Sequence, residues 1–289
     1  MTDTIGGNGA VPRIYGASRL GVLALTAPGA AHPRVEYVGG DLFVGIDQGP
    51  EHTAVTEGQA EGWPRPFREV LLGIVADAAP VPAPVDGLTV IDDEKASAAA
   101  VLDPSRLAGL ALSGPPVVFA LARDRVAVAG ADDEAAVARV LDLAEQLFEG
   151  GGPLVSAHPI VLASDGWQPF PWQGRFGALE LRFARVLRLF SVRAYEAQTV
   201  ALQRPDLHVA DPKIRVLESG VTTTFATWPQ GTATLLPVVD NVIIADPAGA
   251  LSVATLDQFL DAAGDAVVRT GLSPARYFVP GERPRDAGA

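Results

Sequence analysis

The chain contains no cysteine, one methionine and four histidines in 289 residues. The missing cysteine excludes a disulfide scaffold, a thiolate nucleophile and a thiolate zinc site. The histidines, His32, His52, His158 and His208, are too widely spaced for a His-x-x-x-His metal pair. Ser156, His158 and Asp165 are residue types of a hydrolytic triad, but no Gly-x-Ser-x-Gly elbow presents the serine, and Pro159 follows the histidine directly. His208 and Asp211 bring two ligand types near one another, yet a lone His beside a loop Asp is usually structural. Gly6–Gly9 has no preceding strand, and Gly150–Gly152 closes a helical pattern instead of opening one. Neither glycine cluster therefore supplies a phosphate-binding loop. No apolar run approaches the ~20 residues that a membrane-spanning helix needs. No catalytic residue, cofactor or metal is assigned.

Positive charge is also scarce. Lysine and arginine number 22 against 34 acids, giving a net charge of -12, and the pI is about 4.7. Only Lys95 and Lys213 are lysines. Nucleic acid is therefore a poor partner for the chain as a whole, because phosphate binding needs clustered cations. Charged residues make up 19% and hydrophobic ones 48%, and the mean hydropathy is +0.22. An apolar excess over a thinly charged surface points to a protein partner or to self-association. Zero cysteine fits a cytoplasmic location. Export is the alternative, because Arg13 and Arg19 precede the apolar run Leu20–Leu25 and the small residues Ala27–Ala31, the order of a secretory signal. The long Gly-rich region before that run carries Asp3, and Pro28-Gly29 cuts the run short. These features favour a core strand ending in a Pro-Gly turn.

The pattern predicts an α+β fold built from antiparallel strand–turn–strand–helix modules, with two similar lobes joined by a long central helix. Residues 1–10 and 281–289 read as loose tails. The alternating prolines of Ala79–Val85 favour an extended conformation. They suggest a linker or crossover over 79–87, between an N-terminal α+β unit at 11–78 and a C-terminal α+β domain at 88–280. The clearest module runs from the strand Pro116–Ala122 through a turn at Asp124-Arg125 to the strand Val126–Ala129. A helix follows, burying Val137, Val140, Leu141, Ala144, Leu147 and Phe148. A second module has Leu235–Pro237 leading to a strand over Asp240–Asp246, a turn at Pro247–Gly249 and a helix over Leu256, Phe259, Leu260 and Val267. A weaker echo lies at Asp41–Asp47, with a helix around Phe67–Ala78. Thr-rich runs at Val221–Thr227 and Thr232–Leu236 flank Trp228–Gly231 and suggest a β-hairpin. A long helix is expected over Phe176–Gln203, with Leu179, Phe183, Val186, Leu187, Phe190, Ala194 and Ala201 on one face.

Four sets of residues compete for chemical roles. Asp92-Asp93-Glu94 and Asp132-Asp133-Glu134 each precede an Ala-rich helical stretch and are best explained as helix caps. Arg182, Arg185 and Arg188 recur every three residues on the long helix. Such a strip docks a phosphate or a carboxylate-rich partner, or it pairs with the chain's own acids. Trp63, Trp167, Trp172 and Trp228 each lie within two residues of a proline. Large aromatics on rigid turns act as contact anchors or pin loops to a core. Together the tryptophans and the arginine strip form the candidate interaction surface.

Asp124–Phe148, Pro153-Leu154 before Asp165–Trp167, and Leu236-Pro237 through Asp240–Asp246 resemble a YtpQ-like family of uncharacterised bacterial proteins. The resemblance covers about the C-terminal half. It implies a soluble bacterial α+β protein and carries over no catalytic residue. The function expected is non-catalytic protein–protein interaction, as an adaptor, a chaperone-like protein or an assembly component. The first alternative is a metal-free hydrolase or lyase using carboxylates alone, which needs Asp165, Asp211, Asp240 or Asp246 to converge in one cleft. The second is an anion-binding protein using the arginine-rich helix.

Overall fold

A computed structural model of the chain describes residues 9–27, 29–49 and 52–281. The expected tails fall almost wholly outside those residues, as does the Gly6–Gly9 cluster apart from Gly9. The fold is α+β. The chain divides into two units between Val186 and Leu187.

Unit 1 holds two sheets. The first contains β1 (Val11–Gly16), β2 (Val35–Gly39), β3 (Leu42–Gln48) and the short β4 (Thr53–Ala54), in the order β1-β3-β2 with β4 on β3. The second contains β5 (Leu88–Ile91), β6 (Pro116–Ala122), β7 (Arg125–Gly130), β8 (Ile160–Ala163) and β9 (Gly166–Pro169), ordered β5-β7-β6-β8-β9 and antiparallel throughout. Among the described residues five α-helices belong wholly to this unit: α1 (Ala17–Thr26), α2 (Glu57–Glu61), α3 (Phe67–Val75), α4 (Glu94–Leu102) and α5 (Glu134–Glu149). Alternation puts Ile14, Leu42, Val44 and Ile46 on one face of the first sheet, and Val118, Ala120, Val126 and Val128 on one face of the second. Both sets share one core with α4, whose residues Ala96–Val101 are all buried. Small side chains suit that position, because alanine lets a fully enclosed helix approach its neighbours closely and keeps high helix propensity. Asp93 and Asp133 cap α4 and α5 as expected, accepting from Ala96 N–H at 2.7 Å and Ala136 N–H at 2.9 Å.

Three expectations are corrected. The Pro-rich segment does not divide the chain: Ile14 and Leu71 before it share a core with Ile91 and Val118 after it. Ala79–Val85 is an extended crossover within unit 1, and neither 11–78 nor 88–280 is a separate unit. The run Leu20–Leu25 is helical, part of α1, instead of a strand. Leucine and alanine favour helix, and Val22 alone is buried. The Thr-rich runs form strands but not a hairpin. β12 (Thr222–Pro229) joins one sheet and β13 (Thr234–Pro237) another. Trp228–Gly231 is a corner closed by two bonds: Trp228 Nε1–H donates to the Thr232 carbonyl at 3.2 Å, and Thr232 N–H donates to the Pro229 carbonyl at 3.0 Å.

The long helix α6 (Glu180–Leu202) follows a turn of 3-10 helix at Gly177–Leu179, and the division between the units falls inside it. Unit 2 adds β10 (His208–Val209), β11 (Lys213–Val216), β14 (Asn241–Ala245), β15 (Leu251–Thr255), α7 (Leu256–Ala263), β16 (Val268–Arg269) and β17 (Arg276–Val279). Its sheets run β11-β12-β14-β15 and β10-β13-β17-β16, and the β12–β14 and β10–β13 pairs are parallel. The first strand–turn–strand–helix module exists as β6–β7–α5; in the second, the expected strand Leu235–Pro237 lies in β13 of the other sheet, and β14 pairs instead with β15, the strand that precedes α7. The core of unit 2 gathers Ala226, Leu236, Val239, Val242, Leu256, Phe259 and Val279. Arg276 on β17 is 0% exposed. Its guanidinium donates to Gln198 Oε1, to the carbonyls of Ala210, Leu235 and Tyr195, and to Thr199 Oγ1. One arginine thus ties the end of α6 to the strands of unit 2.

Candidate functional site

The arginine strip of α6 is met by the chain's own acids. Arg182 pairs with Asp142 and, at 3.8 Å, with Glu145 of α5. Arg185 reaches Glu145 at 3.4 Å. Arg188 binds Asp240 through two parallel bonds of 2.8 Å, from Nε and from one terminal nitrogen. Asp240 also accepts from Thr224 N–H at 2.7 Å and from the Thr224 hydroxyl at 2.8 Å. Burial pushes the Asp240 carboxyl up, but Arg188 and the two Thr224 donors outweigh it and hold the group at about 2. The strip is therefore charge-compensated, and Asp240 is a structural acceptor at the start of β14.

The tryptophans pack on their own units. Trp63 stacks on Phe67, with centroids 5.8 Å apart, and Trp172 stacks on Phe183 at 4.8 Å. Trp228 meets Phe259 edge to face at 5.3 Å. Trp167 is 8% exposed, and its indole N–H donates to the Val101 carbonyl at 2.8 Å. Burial removes Trp167 from the expected interaction surface, while Trp63, Trp172 and, at the end of β12, Trp228 are half-buried.

Of the carboxylates considered for catalysis, Asp240 and Asp246 stand apart within unit 2. Asp165 lies in unit 1, in the turn between β8 and β9. Asp240 and Asp246 flank opposite ends of β14, and Asp246 is spent on turn amides, accepting from Ala248 and Ala250 N–H at 2.8 Å. Asp211 sits exposed between β10 and β11. Among the described residues no group of three His, Cys, Asp or Glu is arranged to hold a metal ion.

Two polar clusters of unit 1 escaped sequence reasoning. Asp47 of β3 is 1% exposed, accepts from the Tyr15 hydroxyl and pairs with Arg13. Arg13 extends to Glu94 at 3.4 Å, which Arg123 also reaches at 3.1 Å. Burial raises the Asp47 carboxyl against the opposing pull of Tyr15 and Arg13. In the second cluster the Ser156 hydroxyl lies 2.8 Å from each Asp41 oxygen and accepts from His158 N–H at 3.0 Å. Burial raises Asp41, partly offset by Ser156 and the nearby His158. The serine proton is thus directed at a carboxylate across the fold, not at His158 or Asp165. Neither cluster had a spacing signal, because Tyr15 and Asp47 are 32 residues apart and Asp41 and Ser156 are 115. A groove of about 320 Å³ in unit 1 is lined by Pro104, Leu107, Leu110, Leu112, Pro116 and Leu162. Its walls are largely apolar, with little to orient a polar substrate.

The surface that stands out is in unit 2. Strand register places Phe225, Ile243, Ala245, Leu251 and Val253 on one face of the β11-β12-β14-β15 sheet. Ala226, Val242, Ile244 and Ala254 face the core on the other side. Leu251 is 70% exposed and Val253 66%. On the same face Lys213 and Arg215 stand at the β11 end. The sequence signal for this surface was the uncharged run Leu251–Thr255, hidden in what reads as a connection before a helix. Comparison with family models, with curated proteins and with solved structures returns no match. Among the described residues no helix is long and apolar enough to cross a membrane.

Proposed function

We propose that the protein is a non-catalytic interaction or assembly component, and that it engages a protein partner through the outer face of the β11-β12-β14-β15 sheet. The observation that carries this reading is the paired exposure of Leu251 and Val253 beside Ile243, Ala245 and Phe225. Exposed aliphatic side chains on a strand are costly unless something covers them, so a contiguous set marks a contact surface. The internal pairing of Arg182, Arg185 and Arg188, and the separation of Asp240 from Asp246, support it from the other side. The composition fits as well, with 48% hydrophobic and 19% charged residues. The resemblance to YtpQ-like proteins, which brings no catalytic residue, belongs to the same reading.

The test is capture of binding proteins from lysate of the source organism on the tagged chain, at low and high salt, beside the variant Leu251→Glu. The expected result is a stoichiometric partner that survives high salt and is lost with Leu251→Glu, while the variant's circular dichroism and melting stay unchanged. Equal retention by both proteins, or no retained protein at either salt, would remove this face from consideration.

A further inference from the structure

The two edges of the β11-β12-β14-β15 sheet are built differently. β11 carries Lys213 and Arg215, a common guard against edge pairing. β15 reads Leu-Ser-Val-Ala-Thr and has no charge, no proline and no bulge. Its hydrogen-bonding phase is fixed at both ends. Asp246 N–H donates to the Ala250 carbonyl at 3.0 Å, and Leu256 N–H donates to the Asp240 carbonyl at 3.1 Å. In an antiparallel ladder, alternate residues turn their main-chain groups to the same side. Ala250, Ser252, Ala254 and Leu256 therefore face β14, and Leu251, Val253 and Thr255 face outward. The Thr255 N–H is taken by Gln258 Oε1 at 3.0 Å in the capping box of α7. The outward N–H and C=O groups of Leu251 and Val253 are left at the sheet edge, on two residues whose aliphatic side chains are also exposed.

We infer that this edge pairs with β15 of a second copy of the chain, antiparallel across a two-fold axis at Val253. The inference rests on the reading of this sheet as an interaction surface and names one occupant for its edge. In that register Val253 exchanges both main-chain bonds with Val253 of the second copy. Leu251 falls opposite Thr255, whose N–H stays with Gln258 and whose carbonyl opens α7, so the Val253 exchange carries the main-chain contact. A two-fold interface must be complementary to itself. β15 meets that condition because no charge faces its own image, and Asp257 falls opposite Gly249. The same operation at the β11 edge, centred on Ile214, sets Lys213 against Arg215. The paired strands also continue the apolar face, with Val253 beside its counterpart and Leu251 beside Thr255 of the second copy, and the two sheets become one.

The absence of native cysteine makes the test direct. Opposed residues in a hydrogen-bonded antiparallel pair have Cα atoms about 5.5 Å apart, inside the disulfide range of roughly 4.4–6.8 Å. The purified chain carrying Val253→Cys is oxidised beside one carrying Val216→Cys on the guarded edge. Covalent dimer is expected roughly a hundred-fold faster from Val253→Cys, because pairing holds the two thiols at an effective concentration far above the bulk value. Sedimentation should show a dimer for the unmodified chain and a monomer for Val253→Lys, with equal circular dichroism. Equal oxidation rates, or an unmodified chain that stays monomeric at high concentration, would overturn the inference. A monomer that still captures a partner through Leu251 overturns this inference alone. A dimer that captures nothing overturns only the partner reading.

Discussion

Replacing Arg276 with methionine removes a guanidinium that joins α6 to β13 and to Ala210 just beyond β10. The side chain is fully enclosed, and among the described residues no carboxylate pairs with it. Burial pulls its pKa down to about 10, so it stays charged at neutral pH. Its stability therefore comes from its acceptors. Gln198 Oε1 at 2.6 Å and the Ala210 carbonyl at 2.7 Å lose their donor in Arg276→Met. The Leu235 carbonyl keeps a bond from Ala210 N–H at 3.1 Å, and the Thr199 hydroxyl is free to rotate. Two buried orphan acceptors at ~1–3 kcal/mol each give a loss of about 4 kcal/mol. For a unit of this size that is a fall in Tm of roughly 15–30 °C. Urea unfolding of the full chain measures the loss, and hydrogen exchange in Leu235–Pro237 and Arg276–Val279 assigns it to unit 2. Arg276→Lys should recover little, because an ammonium cannot present the planar fork of donors. Arg276→Met within about 1 kcal/mol of the unmodified chain would refute the reasoning, since that is the cost of a single ordinary hydrogen bond.

Three further outcomes are expected. Gly130→Ala should cost about 3 kcal/mol in urea unfolding, because the added Cβ would meet the Ser113 carbonyl oxygen at 2.1 Å, and a backbone neighbour cannot yield. Gly73→Ala, with nothing within 4 Å and a helical position, should instead gain roughly 0.5–1 kcal/mol; a neutral Gly130→Ala would contradict the close approach. Asp240 is held below its usual 3.8, at about 2, so its contribution is complete above 3.8 and is lost as pH falls through about 2. Discounted for solvent screening of a pair whose side chains are 30% and 34% exposed, the unmodified chain should lose about 1 kcal/mol more than Asp240→Asn between those pH values. Parallel acid profiles would show that the Arg188 pair contributes nothing to stability.

Much of unit 1 was legible because its signals are local. β6 and β7 are continuous apolar runs around a short turn, and α5 repeats its buried residues every three or four positions behind an Asp cap. The Asp93 and Asp133 caps act within three residues, so spacing alone reveals them. The Pro-rich segment misled because an extended conformation is common to linkers and crossovers, and only the shared packing of Ile14 with Val118 distinguishes them. β12 and β13 misled for a related reason: alternation marks a strand and its faces but not the neighbour it pairs with. Leu251–Thr255 went unseen as a strand because it is short and its turn resembles a helix approach.

The sequence by itself determined the absence of thiol chemistry, the α+β class, the helix caps and the acidic, apolar balance. These follow from residue types and from contacts within a turn or two of chain. Tertiary structure decided which acid meets each arginine of α6, that Trp167 is core, that Asp47 and Arg276 are enclosed, and that β15 is an open edge. Each of those depends on sheet order, and sheet order brings together residues whose separation along the chain carries no signal of their meeting.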